Sequence, residues 1–203
     1  MAIILQLPIS SSGTESLIFA IAFFGWLASE IVGAMILPRL RRHCAGAELE
    51  IKDRRSGLVV VVGQIAAIYL AFGLSLAGIA LLPGWLFYPG IALMVLGIFL
   101  RQWSIALLGG FFSALVSVQE GQTIIRKGPY RYVRHPSYTG AIMIFTGIGL
   151  AILSWGAVLV LLLTCCFVYG YRIHVEEKAL LEKFGEEYRA YMGETKMLVP
   201  GVV

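Results

Sequence analysis

Residues 57–108 read GLVVVVGQIAAIYLAFGLSLAGIALLPGWLFYPGIALMVLGIFLRQWSIALL, and Arg101 is the single charged side chain in that stretch. Each half is apolar over roughly the 20 residues a helix needs to cross a bilayer. Pro83-Gly84 between the halves is a turn signal. The stretch therefore predicts two membrane helices, from about Gly57 to Leu82 and from about Trp85 to Leu108, folded as a tight antiparallel hairpin.

Outward from this hairpin the pattern repeats. An earlier apolar run from about Ser16 to Leu37 ends at Pro38 and a basic cluster. Two later runs, about Tyr138 to Leu153 and about Ala157 to Tyr171, are separated only by Ser154-Trp155-Gly156 and form a second, shorter hairpin. The expected fold class is all-α: a polytopic membrane protein of about five transmembrane helices with a cytosolic C-terminal amphipathic helix. The expected organisation is an N-terminal three-helix membrane region, 1–108, and a cofactor-binding catalytic region, 109–203, with two membrane helices and a cytosolic tail.

Composition agrees. Of 203 residues, 59% are hydrophobic and 14% charged, whereas a soluble domain carries roughly a quarter charged residues. The net charge of +4 is explained by basic cytoplasmic loops, and no nucleic-acid-reading motif is present, so nucleic acid is not an expected partner. Cys44, Cys165 and Cys166 lack the spacing of a disulfide framework or a zinc site. The N-terminal MAIILQLPISSSGTE has neither a basic start nor a clear cleavage site, so the first helix is expected to be retained.

Charge placement orients the chain. The basic residues, Arg101 aside, lie between helices one and two, between three and four, and after five. By the positive-inside rule the N-terminus is outside and the C-terminus cytosolic. The membrane is the plasma membrane in a prokaryote and the endoplasmic reticulum in a eukaryote.

Two stretches carry chemistry. Gly128–Gly140, GPYRYVRHPSYTG, gathers Tyr130, Arg131, Tyr132, Arg134, His135, Ser137 and Tyr138 around two prolines beside a membrane helix. Interfacial anchoring accounts for Tyr and Arg at that depth, but the density of hydrogen-bonding groups exceeds what anchoring needs. In RIHVEE, at the cytosolic end of helix five, Arg172 and Glu176 stand at i,i+4 on one helical face. Ionisable groups at a membrane boundary are costly and tend to be functional. Beyond them EEKALLEKFGEEYRAY has the apolar spacing of an amphipathic helix. Glu30 and Arg101 fall at similar depth in helices one and three and are expected to pair structurally.

The combination of GPYRYVRHPSYTG, RxxxEE about thirty residues later, FGEEYRAY and a closing proline resembles the isoprenylcysteine carboxyl methyltransferase family from about Arg101 to Pro200. Phospholipid methyltransferases share the plan. The resemblance implies S-adenosyl-L-methionine as cofactor, contacted by Tyr130, His135, Pro136, Ser137, Tyr138 and Glu176. The segment Gln122, Thr123, Ile124, Ile125 would hold the nucleoside, with Thr123 standing where the family commonly has histidine. Arg172 would lie on the substrate side, so Arg172 and Glu176 are the implied catalytic pair. The implied activity is that of a protein-S-isoprenylcysteine O-methyltransferase-like enzyme acting on a prenylated or other lipidic acceptor.

A carboxylate acceptor would need no general base, and the Arg172 fork would hold it. An amine acceptor would need one, from Glu176 or His135. No metal is called for. The alternatives are a phospholipid or other lipid methyltransferase, a membrane reductase using NADPH, and a non-catalytic membrane adaptor or transporter subunit. Gly140, Gly147, Gly149 and Gly156 would let helices approach closely and a greasy substrate enter sideways.

Overall fold

The computed structural model describes residues 13–38, 40, 49–113, 115–119 and 121–199. The leader reading, Arg39, Arg41, Arg42, Cys44 and the closing Pro200 fall outside the described residues. Helix α1 spans Gly13–Ser29 and runs on through a π-helical stretch, Glu30–Ile36. Strand β1 is Leu49–Asp53, α2 is Arg55–Leu76, α3 is Phe87–Leu108 and β2 is Val116–Gln119. Helix α4 is Pro136–Ala151, α5 is Trp155–Phe184 and α6 is Glu186–Glu194.

The all-helical membrane reading is borne out. Four helical stretches, Gly13–Ile36, Arg55–Leu76, Gly84–Phe111 and Trp155–Phe184, are long and apolar enough to cross a membrane, and Pro136–Ala151 is a shorter apolar helix. Pro136 starts α4 at a position where its missing N–H costs nothing.

Two boundaries differ from the sequence expectation. Helix five does not stop near Tyr171: α5 is 30 residues long and continues to Phe184, so Arg172–Glu177 lies within a regular helix. The tail helix expected over EEKALLEKFGEEYRAY is divided at Gly185, whose φ of 53° is a left-handed conformation that ends α5 and turns the chain into α6. A short antiparallel β1–β2 ribbon, Leu49 opposite Gln119 through Asp53 opposite Val116, also joins the two loops that follow helices one and three.

Helix α4 is the centre of the bundle. It packs against α3 on one side and α5 on the other, burying Ile144, Phe145, Ile148 and Ala151. Glycines permit the α3–α4 approach. A Cβ on Gly97 would lie 2.6 Å from the Gly140 carbonyl, and one on Gly147 would lie 2.6 Å from the Gly90 carbonyl. Gly140 and Gly147 thus do what the sequence suggested, in register with Gly90 and Gly97. Gly149 meets Val158 of α5.

The two hairpin tips lie side by side. The Leu82 amide donates to the Leu153 carbonyl at 2.7 Å, and the Trp155 amide donates to the Ala80 carbonyl at 2.8 Å. The opposite end of the bundle is closed by α6 and the extended segment after it. There the Arg134 and His135 amides donate to the Lys196 and Met197 carbonyls, and the Thr139 hydroxyl donates to the Leu198 carbonyl at 2.6 Å. The fold so places the tyrosine-rich loop, the middle of α5 and the tail at one end.

Candidate functional site

A cavity of about 460 Å³ opens at that end and reaches into the helical bundle. This is within the range of small-molecule sites, about 300–1,000 Å³. One part is walled by the loop residues Ile124, Ile125 and Tyr130, by Leu180 near the end of α5, and by Tyr188 and Tyr191 of α6. The other is walled by apolar side chains of α1 and α2, among them Trp26, Ile31, Met35, Val61 and Ile68. Glu30, Gln64, Arg101, Tyr138, Tyr169 and Arg172 also line it, a set of polar groups among those apolar walls.

Tyr138 organises the charged pair. Its hydroxyl donates to Glu176 Oε2 at 2.6 Å and accepts from Arg172 Nε at 3.3 Å. Arg172 also donates through Nη1 to the Ser56 hydroxyl at 2.8 Å, and it is only 4% exposed. Ser56 belongs to the first turn of α2, which Asp53 caps by accepting from the Arg55 and Ser56 amides at 3.2 and 2.7 Å. Hydrogen bonds from the Ser56 side chain, then from its amide, hold the Asp53 carboxyl below its ordinary range.

The rings form a stack. His135 lies on Tyr138 with centroids 5.6 Å apart, and Tyr138 lies on Tyr169 at 5.0 Å. The Tyr169 hydroxyl accepts from Gln64 Nε2 of α2. His135 Nε2 sits 3.1 Å from Glu177 Oε1, which also accepts from Arg134 Nε at 2.9 Å. Arg134 further donates to the Thr195 carbonyl at 2.6 Å, locking the loop onto the tail.

Glu30 and Arg101 form a two-pronged pair, Nε to Oε1 at 2.5 Å and Nη2 to Oε2 at 2.8 Å. The expected pairing is present, and it does more than fasten α1 to α3. The remaining Arg101 nitrogen, Nη1, donates to the Ser137 hydroxyl at 2.9 Å and carbonyl at 3.2 Å, so α1 and α3 together fix the first turn of α4.

Every residue expected to take part, Pro136 excepted, lines this one cavity: Gln122, Thr123, Ile124, Ile125, Tyr130, His135, Ser137, Tyr138, Arg172 and Glu176. Pro136 is buried behind them as the start of α4. The Gln122 carboxamide turns back to accept from the Gln119 amide at 3.2 Å, so this residue shapes a turn. Tyr191 donates to the Tyr130 carbonyl at 2.7 Å, and burial pushes its phenol up to about 12. Burial likewise raises Tyr130 and Tyr188, so all of these phenols stay neutral donors at physiological pH.

Sequence reasoning missed Ser56, Gln64, Tyr169, Glu177, Tyr188 and Tyr191. Glu177 was within the quoted RIHVEE, and Tyr188 and Tyr191 were on the apolar stripe of the tail; Ser56 and Gln64 had no local signal.

Several of these cavity residues, Gln122 through Glu176 among them, fall in a segment that matches a known family. Residues 90–182 match the isoprenylcysteine carboxyl methyltransferase (ICMT) family. The resemblance read from the motifs is thereby borne out. Relatives of the ICMT-family region include the uncharacterized protein YpbQ of Bacillus subtilis, 26% identical over 77% of this chain and 96% of that protein. The protein-S-isoprenylcysteine O-methyltransferase of Tribolium castaneum is 28% identical over 57% of this chain and 42% of its own length. The chain thus spans less than half of that beetle enzyme. A solved eukaryotic intramembrane Ras methyltransferase ICMT superposes with a TM-score of 0.61 at 19% identity, covering 98% of this chain and 68% of that one. At that identity the likeness concerns the ICMT fold, which this chain shares.

Proposed function

We propose that the protein is a membrane methyltransferase that takes its methyl group from S-adenosyl-L-methionine and delivers it to an acidic oxygen on an apolar-tailed acceptor, of which isoprenylcysteine is the reference example. One observation carries the reading. Tyr138 joins Glu176 and Arg172 in a single cavity lined at one end by Ile124, Ile125 and tyrosines and along the rest largely by apolar side chains of α1 and α2.

The residues present fit that cofactor. With Oε2 of Glu176 taken by Tyr138, its other oxygen can accept from an ammonium, a charge-assisted bond. The Tyr130 ring, which lines the cavity, can offer a face to a sulfonium cation. The segment Gln122–Ile125, which lines the cavity and is in no helix or strand, is the one proposed to take the adenine edge. When bound, the sulfonium supplies an electrophilic methyl group that an acceptor oxygen displaces from sulfur.

What this chain contributes is alignment and dryness. Arg172, oriented by Ser56 and Tyr138, puts a fixed positive charge beside the acceptor oxygens. Glu177, through Arg134 and His135, keeps the loop closed on the tail. The stacked His135, Tyr138 and Tyr169 rings form a continuous part of the cavity lining. A carboxylate acceptor ionised at neutral pH requires no base. The positive-inside pattern supports a cytosolic position for the loop-walled part, with a water-soluble donor entering there and the acceptor entering from the bilayer between α1 and α2.

The test is methyl transfer by the purified chain in lipid nanodiscs, from tritiated donor to a farnesylated cysteine. Labelled ester is expected from the parent and not from Arg172→Ala. An Arg172→Ala variant as active as the parent would remove Arg172 from the acceptor's side, and NADPH binding in place of the donor would make the protein a reductase.

A further inference from the structure

The membrane-side part of the cavity holds a polar pair for which donor binding has no use. Gln64 of α2 and Tyr169 of α5 both line it, and Gln64 Nε2 donates to the Tyr169 hydroxyl. Tyr169 is only 2% exposed. Apolar Trp26, Ile65, Ile68 and Phe145 line the same cavity. A leucine and a phenylalanine would fill this place without any polar group to satisfy at membrane depth, where such groups are costly.

Counting donors shows what the pair offers. A carboxamide has two N–H donors and one acceptor oxygen, and a phenol has one O–H donor and an acceptor oxygen. With Gln64 donating to Tyr169, the phenol proton has no acceptor among the described residues. With the amide turned about, the phenol donates to it and both N–H groups are left over. Either way the pair holds at least one donor out to the cavity. Tyr169 precedes Arg172 by three residues on the same face of α5, about 4.5 Å further into the bilayer.

We infer that Gln64 and Tyr169 are specificity-determining residues that bind a second oxygen of the acceptor, lying between the methylated group and the apolar tail. The inference rests on the proposed function, in which Arg172 holds the methylated group. The substrate class is then an apolar-tailed acid with a carbonyl or hydroxyl oxygen one or two bonds along from the carbon that bears the methylated oxygen. A plain aliphatic acid leaves the donor unmet and is the poorer acceptor.

The test compares matched acceptors. Methyl transfer by the full chain in nanodiscs is measured with 3-oxotetradecanoic acid and with tetradecanoic acid, for the parent, Gln64→Leu and Tyr169→Phe. Both substitutions keep volume, and Tyr169→Phe keeps the ring stack. S-adenosylhomocysteine binding is followed by calorimetry in all three. The parent is expected to favour the oxo acid about ten-fold in kcat/KM, the equivalent of one hydrogen bond. Each variant should fall to the plain-acid level through a raised KM, with homocysteine-analogue affinity unchanged. Equal kcat/KM for the two acids in the parent, or a preference that survives both substitutions, overturns the inference. So does a parallel loss of S-adenosylhomocysteine affinity, which would put the pair on the donor's side. No turnover with either acid while S-adenosylhomocysteine binds overturns the substrate class alone, whereas a parent that does not bind it overturns the methyltransferase reading as well.

Discussion

Replacing Glu30 by Gln removes one charge from the pair it forms with Arg101 while keeping its shape. The two side chains are 20% and 14% exposed, and three Arg101 nitrogens are committed to Glu30 and Ser137. Breaking a buried pair by removing one partner costs about 3–5 kcal/mol, because the other charge is left uncompensated. Since both residues line the cavity, some solvation persists, and about 2–3 kcal/mol is expected by that scale. For a chain of this size each kcal/mol moves the midpoint of thermal unfolding by roughly 2–4 °C. The variant should therefore melt about 4–12 °C below the parent in the same detergent. Glu30→Gln combined with Arg101→Gln removes both charges and should recover most of that loss, because the unpaired charge is its source. S-adenosylhomocysteine affinity should nonetheless fall in the double variant, since Ser137 has lost its anchor on Arg101. A Glu30→Gln midpoint within about 2 °C of the parent, or a double variant less stable than the single, would refute the claim that Arg101 depends on Glu30 for its counter-charge.

Other outcomes follow from the same geometry. Gly97→Ala puts a Cβ 2.6 Å from the Gly140 carbonyl and should cost about 1–3 kcal/mol in the melt, whereas Gly170→Ala, with nothing within 4 Å, should be neutral or stabilising. Asp53 has a lowered pKa, so the stability it lends the α2 cap is present above the unfolded-state value, about 3.9, and lost as pH falls through the folded value. The melting advantage of the parent over Asp53→Asn should accordingly be full at pH 7, start to shrink only near the unfolded-state value of about 3.9, and vanish once the pH is below the folded value. Tyr138→Phe removes the hydroxyl shared by Arg172 and Glu176, and hydrogen bonds to charged groups contribute about 1.5–3 kcal/mol, so turnover should fall between about ten- and hundred-fold with the fold intact by circular dichroism.

The parts of the fold legible in the sequence are those written in local pattern. Hydropathy runs and Pro83-Gly84 give the first hairpin, and α4 begins where Pro136 allows. The candidate site was legible where its residues sit in two dense motifs, and Tyr138 does meet Glu176 and Arg172. Its other partners were hidden by distance along the chain. Ser56 is 116 residues from Arg172, and Gln64 is 105 from Tyr169; neither carries a local signal, because each lies on a helix otherwise like its neighbours. The length of α5 was misjudged for a related reason. Charged residues after Tyr171 read as the end of a membrane helix, but nothing breaks the backbone before Gly185, so the helix continues past the membrane boundary and takes the Arg172–Glu176 face with it.

Isothermal titration of the purified chain with S-adenosylhomocysteine, beside Glu176→Ala, bears most directly on whether the stacked tyrosines and the α5 carboxylate enclose a methyl donor. Saturable binding at a single site by the parent, weakened ten-fold or more by Glu176→Ala, is the expected result. Absence of heat from the parent, or equal affinity in the two proteins, would contradict it.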